Sequence, residues 1–338
     1  QMHAGGVDVS VEENLEWGSW VAVDQIAAFF ASGTPFSTEL RPTYTDADGN
    51  ELQFSQPFIV TPDTAPESCE PVAGPYPTPE DAGAASFREF FRQKWADQYG
   101  IETAPVVEAV AAPKLSLGYL QVAGASEAAQ RLEQDARTAS DLFGWEWVYC
   151  DAEGTVDGMQ TCADSLIDQG VDAIITDGTT VEVIVDQLDR AMEEGIPFVN
   201  TGGTQSFYDH YAASFNPDDA ALGRILADWI VENGPGGGDI IVSSVGYTAW
   251  GGAREVSLAA AIEGTGYVIG DTHDVDFAGP IGQPADAVAT ALTANPDAAV
   301  VWLTFDIAAL GVGPVITDLY PDLDPPDRPL VATFYANC

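Results

Sequence analysis

Basic residues are scarce in this sequence: 11 Lys+Arg stand against 53 Asp+Glu, a formal net charge of −42, and Lys94 and Lys114 are the lysines. So acidic a surface repels nucleic acid and anionic lipid, which makes both poor candidates as partners. The acids are spread along the chain instead of massed in a tail, as on a solvated surface suited to high salt, where screening relieves self-repulsion. No run of about eighteen apolar residues occurs, so nothing in the sequence reads as a membrane span. Histidine is almost as rare, with His3, His210 and His273. None of them lies in a Gly-x-Ser-x-Gly or His-Glu-x-x-His context, and no Cys/His cluster has metal-ligand spacing. No cofactor and no metal is expected. Among so many acids, carboxylate pairs arise by chance and do not by themselves make a glycosidase. The glycines at 234 and 236–238 precede a strand and lack a following Gly-Lys-Ser/Thr, so they form no phosphate loop.

Cysteine is also sparse, four residues being too few for a disulfide scaffold. Cys150 ends one apolar run and Cys162 lies on the first turns of the following helical pattern, close enough in a βα unit for a bridge that closes a short loop. The other reading is a pair of buried thiols. Either fits an exported compartment. With Gln1 first and no signal peptide visible, the chain reads as processed or trimmed.

What is present is a folded composition, 46% hydrophobic and 10% aromatic, in 338 residues, enough for two modest domains with cores of their own. From Lys114 to Gly203 four apolar runs, Leu115–Gln121, Trp145–Cys150, Val171–Thr176 and Ile196–Asn200, begin at intervals of 30, 26 and 25 residues. That interval is one βα unit. Between them lie three helical patterns. Ser126 caps the first, with Glu127 in its first turn and a stripe of Ala128, Ala129, Leu132, Ala136, Ala139, Leu142 and Phe143. Asp157 and Gln160 open the second as a capping box, and Gly170 ends it. Thr180 opens the third, with Val181, Ile184, Val185, Leu188, Ala191 and Met192 inward and Gly195 as its stop. A helix of several turns returns the chain, so neighbouring strands are parallel and each crossover right-handed. Ligands of such sheets sit beyond the carboxyl ends of the strands.

After Gly203 the pattern repeats. Asn216-Pro217 starts a helix with Leu222, Ile225 and Leu226 inward. It leads to a strand at Asp239–Val245, a loop at 246–252 holding Trp250, and a helix at Ala253–Glu263. Strands near Tyr267–Gly270 and Val275–Phe277 follow, then helix Gln283–Ala294, strand Ala298–Thr304, helix Asp306–Asp318 and strand Leu330–Phe334. Residues 1–60 read as a strand, an apolar helix stopped at Gly33, a strand-like Glu39–Thr45, an Asp46–Gly49 turn and a strand at Phe54–Val60. Asp46, Asp48, Asn50 and Glu51 resemble a calcium loop in spacing, but the loop is too short for an EF-hand, and a solvated hairpin turn is the reading preferred. Thr61–Glu80 is proline-rich, Ser86–Gly100 is a short amphipathic helix that packs on its own body or docks a partner, and Ile101–Pro113 is an Ala/Val/Pro linker.

Three motifs in order, Gly144-Trp-Glu-Trp-Val-Tyr-Cys-Asp-Ala-Glu-Gly154, Asp168-Gln-Gly-Val-Asp-Ala-Ile-Ile175 and Ala191-Met-Glu-Glu-Gly-Ile-Pro-Phe-Val199, resemble the first lobe of type I periplasmic binding proteins, nearest the ribose-binding branch serving sugar ABC transporters. The stretch Asn295–Gly311 is similar to the family's strand, Asn-Asp and Ala-Leu-Gly helix. The resemblance implies an α/β fold of two doubly wound parallel-sheet lobes joined by a hinge. Residues 1–60 look like the family's ending placed first. The order is therefore read as a circular permutation, with 11–45 and 114–214 in lobe 1, 1–10, 46–60 and 215–338 in lobe 2, and 61–113 as connector. A piece of a tandem pair is the other reading.

Positions matching the family's ligand contacts are Ser126, Glu127, Thr201, Gly202, Trp250, Arg254, Phe277, Phe305, Asp306, Phe334, Tyr335, Glu12 and Asn14. Departures from the pattern are specific: Gly202-Gly203 stand for Asp-Arg, Phe305 for Asn, and an aromatic residue for the Asp ending the last strand. They imply a more aromatic cleft than a simple pentose needs. Asp306 is either a ligand contact or the N-cap of its helix, and Trp250 either a stacking face or core. The implied function is an extracytoplasmic solute-binding protein of an ABC transporter. It would act as a monomer and close on a sugar or related polar cyclic solute between its lobes, then deliver it to a membrane permease. The location is periplasmic or secreted, free or membrane-tethered in the full-length protein. A ligand-sensing module of a receptor and a glycoside-acting enzyme are the alternatives.

Overall fold

The computed structural model describes residues 6–12, 16–37, 44–45, 51–52, 58–64, 113–203, 211–276, 282–321 and 323–335. The chain divides into two compact units. One comprises Gln1–Glu13, Pro57–Cys69 and Asp218–Cys338, the other Asn14–Gln56 and Glu70–Pro217. Ser86–Gly100, the Asp46–Gly49 turn, Cys69, Cys338, Asn14 and Phe277 lie outside the described residues.

The second unit holds a sheet of β5 (Ser116–Gln121), β6 (Glu146–Asp151), β7 (Ala173–Thr176), β8 (Phe198–Thr201) and β9 (Ala213–Phe215), ordered β6-β5-β7-β8-β9. All four pairings are parallel. Side chains alternate across β5, so Leu117 and Tyr119 enter one core and Leu120 the other. The first core is covered by α1 (Glu16–Ser32) and α2 (Glu127–Phe143), the second by α3 (Val156–Asp168) and α4 (Val185–Glu194). Helix α1 comes from the other end of the sequence. It brings Trp20, Val21, Val23 and Ile26 into the cluster with Leu117, Tyr119 and Phe215, and the Ser19 hydroxyl donates to the Leu132 carbonyl at 2.9 Å. Gly18 allows this contact, since a Cβ there would stand 2.7 Å from the Phe215 carbonyl oxygen.

The other unit holds β10 (Gly238–Ser244), β11 (Tyr267–Asp274), β12 (Val300–Leu303), β13 (Leu330–Phe334), β1 (Val9–Glu12) and β4 (Phe58–Val60), in the order β11-β10-β12-β13-β1-β4. The first five are parallel and β4 runs antiparallel to β1. Strand β1 thus takes the place beside β13 that β9 takes beside β8, so the two sheets share one strand order although β1 is the first strand of the chain. Helices α5 (Asp219–Asn233) and α6 (Ala249–Ile262) pack together, while α7 (Gly282–Ala294) and α8 (Asp306–Leu319) supply the cluster of Val288, Leu292, Val312 and Ile316. A buried ion pair adds to β1: Arg328 donates to both oxygens of Asp8, at 2.7 and 2.6 Å, and Asp8 also accepts from Val331 N. In the second unit β2 (Tyr44–Thr45) and β3 (Glu51–Leu52) pair antiparallel.

Several expectations are corrected in detail. Thr155, not Asp157, caps α3, its hydroxyl accepting from Gly158 N at 2.9 Å. Helix α5 starts after Asp218, which accepts from Ala221 N, because Asn216 is drawn into another hydrogen-bond network. Thr180 opens only a 3-10 turn, Val181–Val183, and Met192 is exposed. Strand β11 is continuous to Asp274, a register shift opposite Ile240 and Ile241 absorbing Gly270 as a bulge. Val11 and Glu12 belong with β1 because they pair with Phe334 and with Ile59 and Phe58, so the unit boundary follows Glu13. Glu51 and Leu52, expected in lobe 2, fall in the second unit. The expected bridge between Cys150 and Cys162 is present, tying β6 to α3.

Candidate functional site

In the second unit the carboxyl ends of β5, β7 and β8 carry a dense polar layer. Ser126 is spent on capping: its oxygen accepts from Ala129 N at 3.3 Å, and Glu127 follows as the first residue of α2. The Thr201 hydroxyl donates to the Thr176 carbonyl at 3.0 Å and is wholly buried, so it ties β8 to β7. Gly202 has a φ of 92°, and a Cβ there would stand 2.8 Å from Leu132 Cδ1 and 3.0 Å from the Asp177 carbonyl. A side chain in place of Gly202, such as the Asp of the family pattern, would therefore clash here. Asn200 donates to the Gly203 carbonyl, Ser214 Oγ and Asn216 Oδ1, which fixes the loop after β8 to β9.

Two residues not singled out from the sequence dominate this end. Asp177, just past β7, accepts from Val122 N at 2.6 Å through Oδ1, while its Oδ2 is buried without a partner. Burial pushes its carboxyl up to about 7, the Val122 amide opposing, and the nearby charges of Asp151 and Glu133 add to the rise. Gln121, the last residue of β5, accepts the Tyr149 hydroxyl on Oε1, and its Nε2 is buried without a partner. Asp151 turns the neighbouring loops inward by accepting from Gly124 N at 3.1 Å and Glu153 N at 2.9 Å. Burial likewise raises the Glu133 carboxyl.

In the other unit the centre is Arg254 on α6, predicted as a ligand contact and found almost sealed from solvent. Its Nε and Nη2 donate to Asp219 Oδ1 at 2.9 and 2.7 Å, and Nη1 donates to the Thr304 carbonyl at 2.8 Å. Three aromatic rings surround the guanidinium carbon: Phe334 at 4.4 Å, Trp250 at 4.8 Å and Tyr335 at 5.3 Å. Cation–π contacts of this kind are worth about 0.5–2 kcal/mol each and orient the rings about the guanidinium. The sequence-predicted Trp250, Arg254, Phe334 and Tyr335 are thus brought together. Trp250 sits in the first turn of α6, because Thr248 caps the helix, its oxygen accepting from Gly251 N at 3.0 Å. Tyr335 has a φ of 57°, a left-handed backbone rare for an aromatic residue, immediately after β13. Phe305 is buried in the apolar core and is itself the N-cap position of α8, so Asp306 is the first helical residue and not the cap. Glu12 is buried at the end of β1 and accepts the Ser10 hydroxyl at 2.8 Å. Glu255 gathers the ends of β10 and β12, accepting from Ser244 Oγ, Val245 N and Thr304 Oγ1.

Among the described residues no group of three His, Cys, Asp or Glu side chains is placed to hold a metal ion, and no helix is long and apolar enough to cross a membrane. The chemistry available is hydrogen bonding from fixed polar groups and contact with fixed aromatic faces, which is the equipment of a binding site.

No curated protein sequence matches the chain. Solved structures do share its fold. An ABC transporter solute binding protein from Mycobacterium smegmatis with bound glycerol is 23% identical, over 61% of this chain and 72% of that one, with a TM-score of 0.56. The periplasmic binding protein component of the arabinose ABC transporter from Shewanella sp. ANA-3, bound to L-arabinofuranose, is 21% identical, over 64% and 73%, with a TM-score of 0.55. A 5-methylthioribose transporter solute binding protein from Thermotoga lettingae TMO is 19% identical, over 65% and 69%, with a TM-score of 0.59. The family model described as "Periplasmic binding protein domain" matches residues 119–322, more than half of the sequence. The chain belongs to the periplasmic binding protein domain family.

Proposed function

We propose that this protein is the extracytoplasmic solute-binding component of an ABC transporter, that it takes up a sugar or a related polar cyclic compound, and that it passes this compound unchanged to a membrane permease. The observation carrying the reading is the aromatic enclosure of Arg254: Trp250, Phe334 and Tyr335 are held by a guanidinium whose own charge is answered by Asp219. Phe334 and Tyr335 are buried and Trp250 is partly exposed, so Trp250 is the ring whose fixed face suits the C–H surface of a sugar. The polar layer at the ends of β5, β7 and β8 adds hydrogen-bonding groups of the kind hydroxyls require. Structures of similar fold hold arabinofuranose, D-allose, L-rhamnose and 5-methylthioribose, which supports the same ligand class. The Cys150–Cys162 disulfide supports an oxidising compartment. The protein works as a single copy.

The chain order supports a circular permutation. The family match begins at residue 119, and β1, at the start of the chain, completes the sheet of β10–β13. A rearranged chain, with Gln1 joined after Cys338 by a short Gly/Ser linker and a new start at Lys114, is expected to give the same circular dichroism and a melting midpoint within a few degrees. An unfolded product would overturn this order.

The functional test is a thermal-shift screen followed by calorimetry with L-arabinose, D-allose, L-rhamnose, 5-methylthioribose, polyols and aromatic solutes. A sugar at a hundred times its Kd should stabilise by ~2.7 kcal/mol, a rise of about 5 °C, and should be recovered chemically unchanged. Silence across the whole panel, or turnover of the bound sugar, would overturn the reading.

A further inference from the structure

Two buried polar atoms at the carboxyl ends of adjacent parallel strands lack partners. Gln121 is 2% exposed and Asp177 is 8% exposed, yet among the described residues Gln121 Nε2 and Asp177 Oδ2 have no hydrogen-bond partner. Both side chains are otherwise fixed. The Tyr149 hydroxyl holds the Gln121 oxygen, so its amide nitrogen is the group left over, and Val122 N holds Asp177 Oδ1, so Oδ2 is the group left over. Leaving such atoms unpaired in a closed core is costly, and folds rarely tolerate it without a reason. Strands β5 and β7 are neighbours in register, with Leu120 opposite Thr176, so Gln121 and Asp177 each follow one of a matched pair. They lie where ligands of parallel sheets bind.

We propose that Gln121 and Asp177 together read one hydroxyl group of the bound solute, Nε2 donating to its oxygen and Oδ2 accepting its proton, and that this pair sets which stereoisomer the protein accepts. The inference rests on the sugar-binding reading above and narrows it.

The chemistry of the pair selects among ligands. A hydroxyl is one donor and a two-fold acceptor, so it satisfies both atoms at once. An ammonium group only donates and would leave the Gln121 amide unpaired. An anion would meet Asp177, Asp151 and Glu133, whose charges already act on one another. The solute is therefore uncharged at this position, which excludes sugar phosphates and sugar acids presenting their charge here. An epimer or deoxy sugar that withdraws the hydroxyl leaves both buried atoms unpaired, which costs about 10- to 100-fold in Kd.

The test uses a polarity swap. In Asp177→Asn the oxygen accepting from Val122 is kept while the free atom becomes a donor; in Gln121→Glu the oxygen held by Tyr149 is kept while the free atom becomes an acceptor. At pH 8, where the Asp177 carboxyl is ionised and Oδ2 accepts, each single variant presents two like groups to the hydroxyl and should bind the sugar giving the largest thermal shift about 10- to 100-fold more weakly by calorimetry. The double variant again presents one donor and one acceptor, reversed, and should recover most of the affinity. Its charge equals that of the starting protein, so net electrostatics cannot produce the recovery. On the unsubstituted protein, one deoxy analogue of that sugar should show the same loss, and Asp177→Asn should add little to it, an arm that requires no double variant to fold. If the protein binds the sugar but both single variants bind equally well, the unpaired atoms are bridged by structural water; the pair then falls while the sugar-binding function stands. Losses that simply add in the double variant also overturn the shared hydroxyl. If no sugar in the panel binds the unsubstituted protein, both inferences fall together.

Discussion

Arg254 donates two hydrogen bonds to a single oxygen of Asp219, at 2.9 and 2.7 Å, with side-chain exposures of 3% and 0%. The pair joins α5 to α6, which approach so closely that a Cβ on Gly223 would stand 2.6 Å from the Arg254 backbone. Removing one partner leaves the other charge buried and unanswered. Asp219→Ala should therefore lower stability by about 3–5 kcal/mol in urea unfolding, more than the loss of one neutral hydrogen bond. Arg254→Met, which keeps the stem and discards the charge, should unbalance Asp219 to a similar extent, and sugar affinity should fall with it as Trp250 and Tyr335 lose the plane between them. A loss under 1 kcal/mol for both would show that the pair organises nothing.

Asp177 makes stability depend on pH with a definite sign. Its carboxyl titrates near 7 in the fold against 3.8 for an ordinary aspartate, and Glu133 is shifted the same way by burial. Between about pH 4 and 7 the folded chain therefore holds a proton that the unfolded chain has released, so stability falls as pH rises through this window and levels off above it. The groups acting on Asp177 are Asp151 and Glu133, both acidic, and Val122 N; Tyr149 and Tyr119 also feel its charge. Asp177→Asn should flatten the slope and be more stable than the starting protein at pH 8, by roughly 4 kcal/mol at most. Melting midpoints measured from pH 4 to 8 check this, and parallel curves for the two proteins would contradict it.

These two sites differ in how far the sequence announces them. The parallel strands were legible from Leu115 to Asn200 because apolar runs, caps such as Ser126 and stops such as Gly170 and Gly195 all agree locally. Arg254 could be placed near Trp250 by resemblance, but its burial could not, because its partner Asp219 lies 35 residues away and is one of 53 acids. Trp250 was read into a loop because glycines flank it, whereas Gly251 is needed inside α6, a Cβ there meeting the Val245 carbonyl at 2.5 Å. Gln121 and Asp177 were missed for a different reason: a polar residue closing an apolar strand is ordinary, and only coordinates reveal that its outer atom is left without a partner.

The disulfide offers a check on compartment and stability together. Cys150 and Cys162 enclose a short loop, their sequence separation being 12 residues. Loop-entropy reasoning gives about 3 kcal/mol for a closed loop of this size. The Cys150→Ser, Cys162→Ser protein should therefore unfold at lower urea by about that amount. Reduction of the starting protein should do the same, since α3 packs on β5 and β6 through Ala163, Leu166 and Ile167 whether or not the bridge is closed. No change on reduction would mean that the bridge constrains little in the unfolded chain.

The placement of α1 yields the prediction most directly tied to chain order. Although α1 precedes β5 by about a hundred residues in sequence, Trp20, Val21, Val23 and Ile26 are built into the core under β5, β7 and β9, and Ser19 is bonded to Leu132. Burying each of these large side chains is worth roughly 1.5–3 kcal/mol, so residues 16–32 should stay attached without the peptide link to Lys114. A specific protease site inserted between residues 64 and 113 should, after cleavage, leave the two fragments eluting together from a sizing column, with the circular dichroism of the intact chain. They should separate only in denaturant. Trp20→Ala or Ile26→Ala should weaken that association, by about 2–5 kcal/mol in the intact protein, whereas substitution of the exposed Val256 should not. Fragments that part under native conditions would show that this segment is an appendage and not the missing piece of the fold, and the permuted order would lose its physical basis.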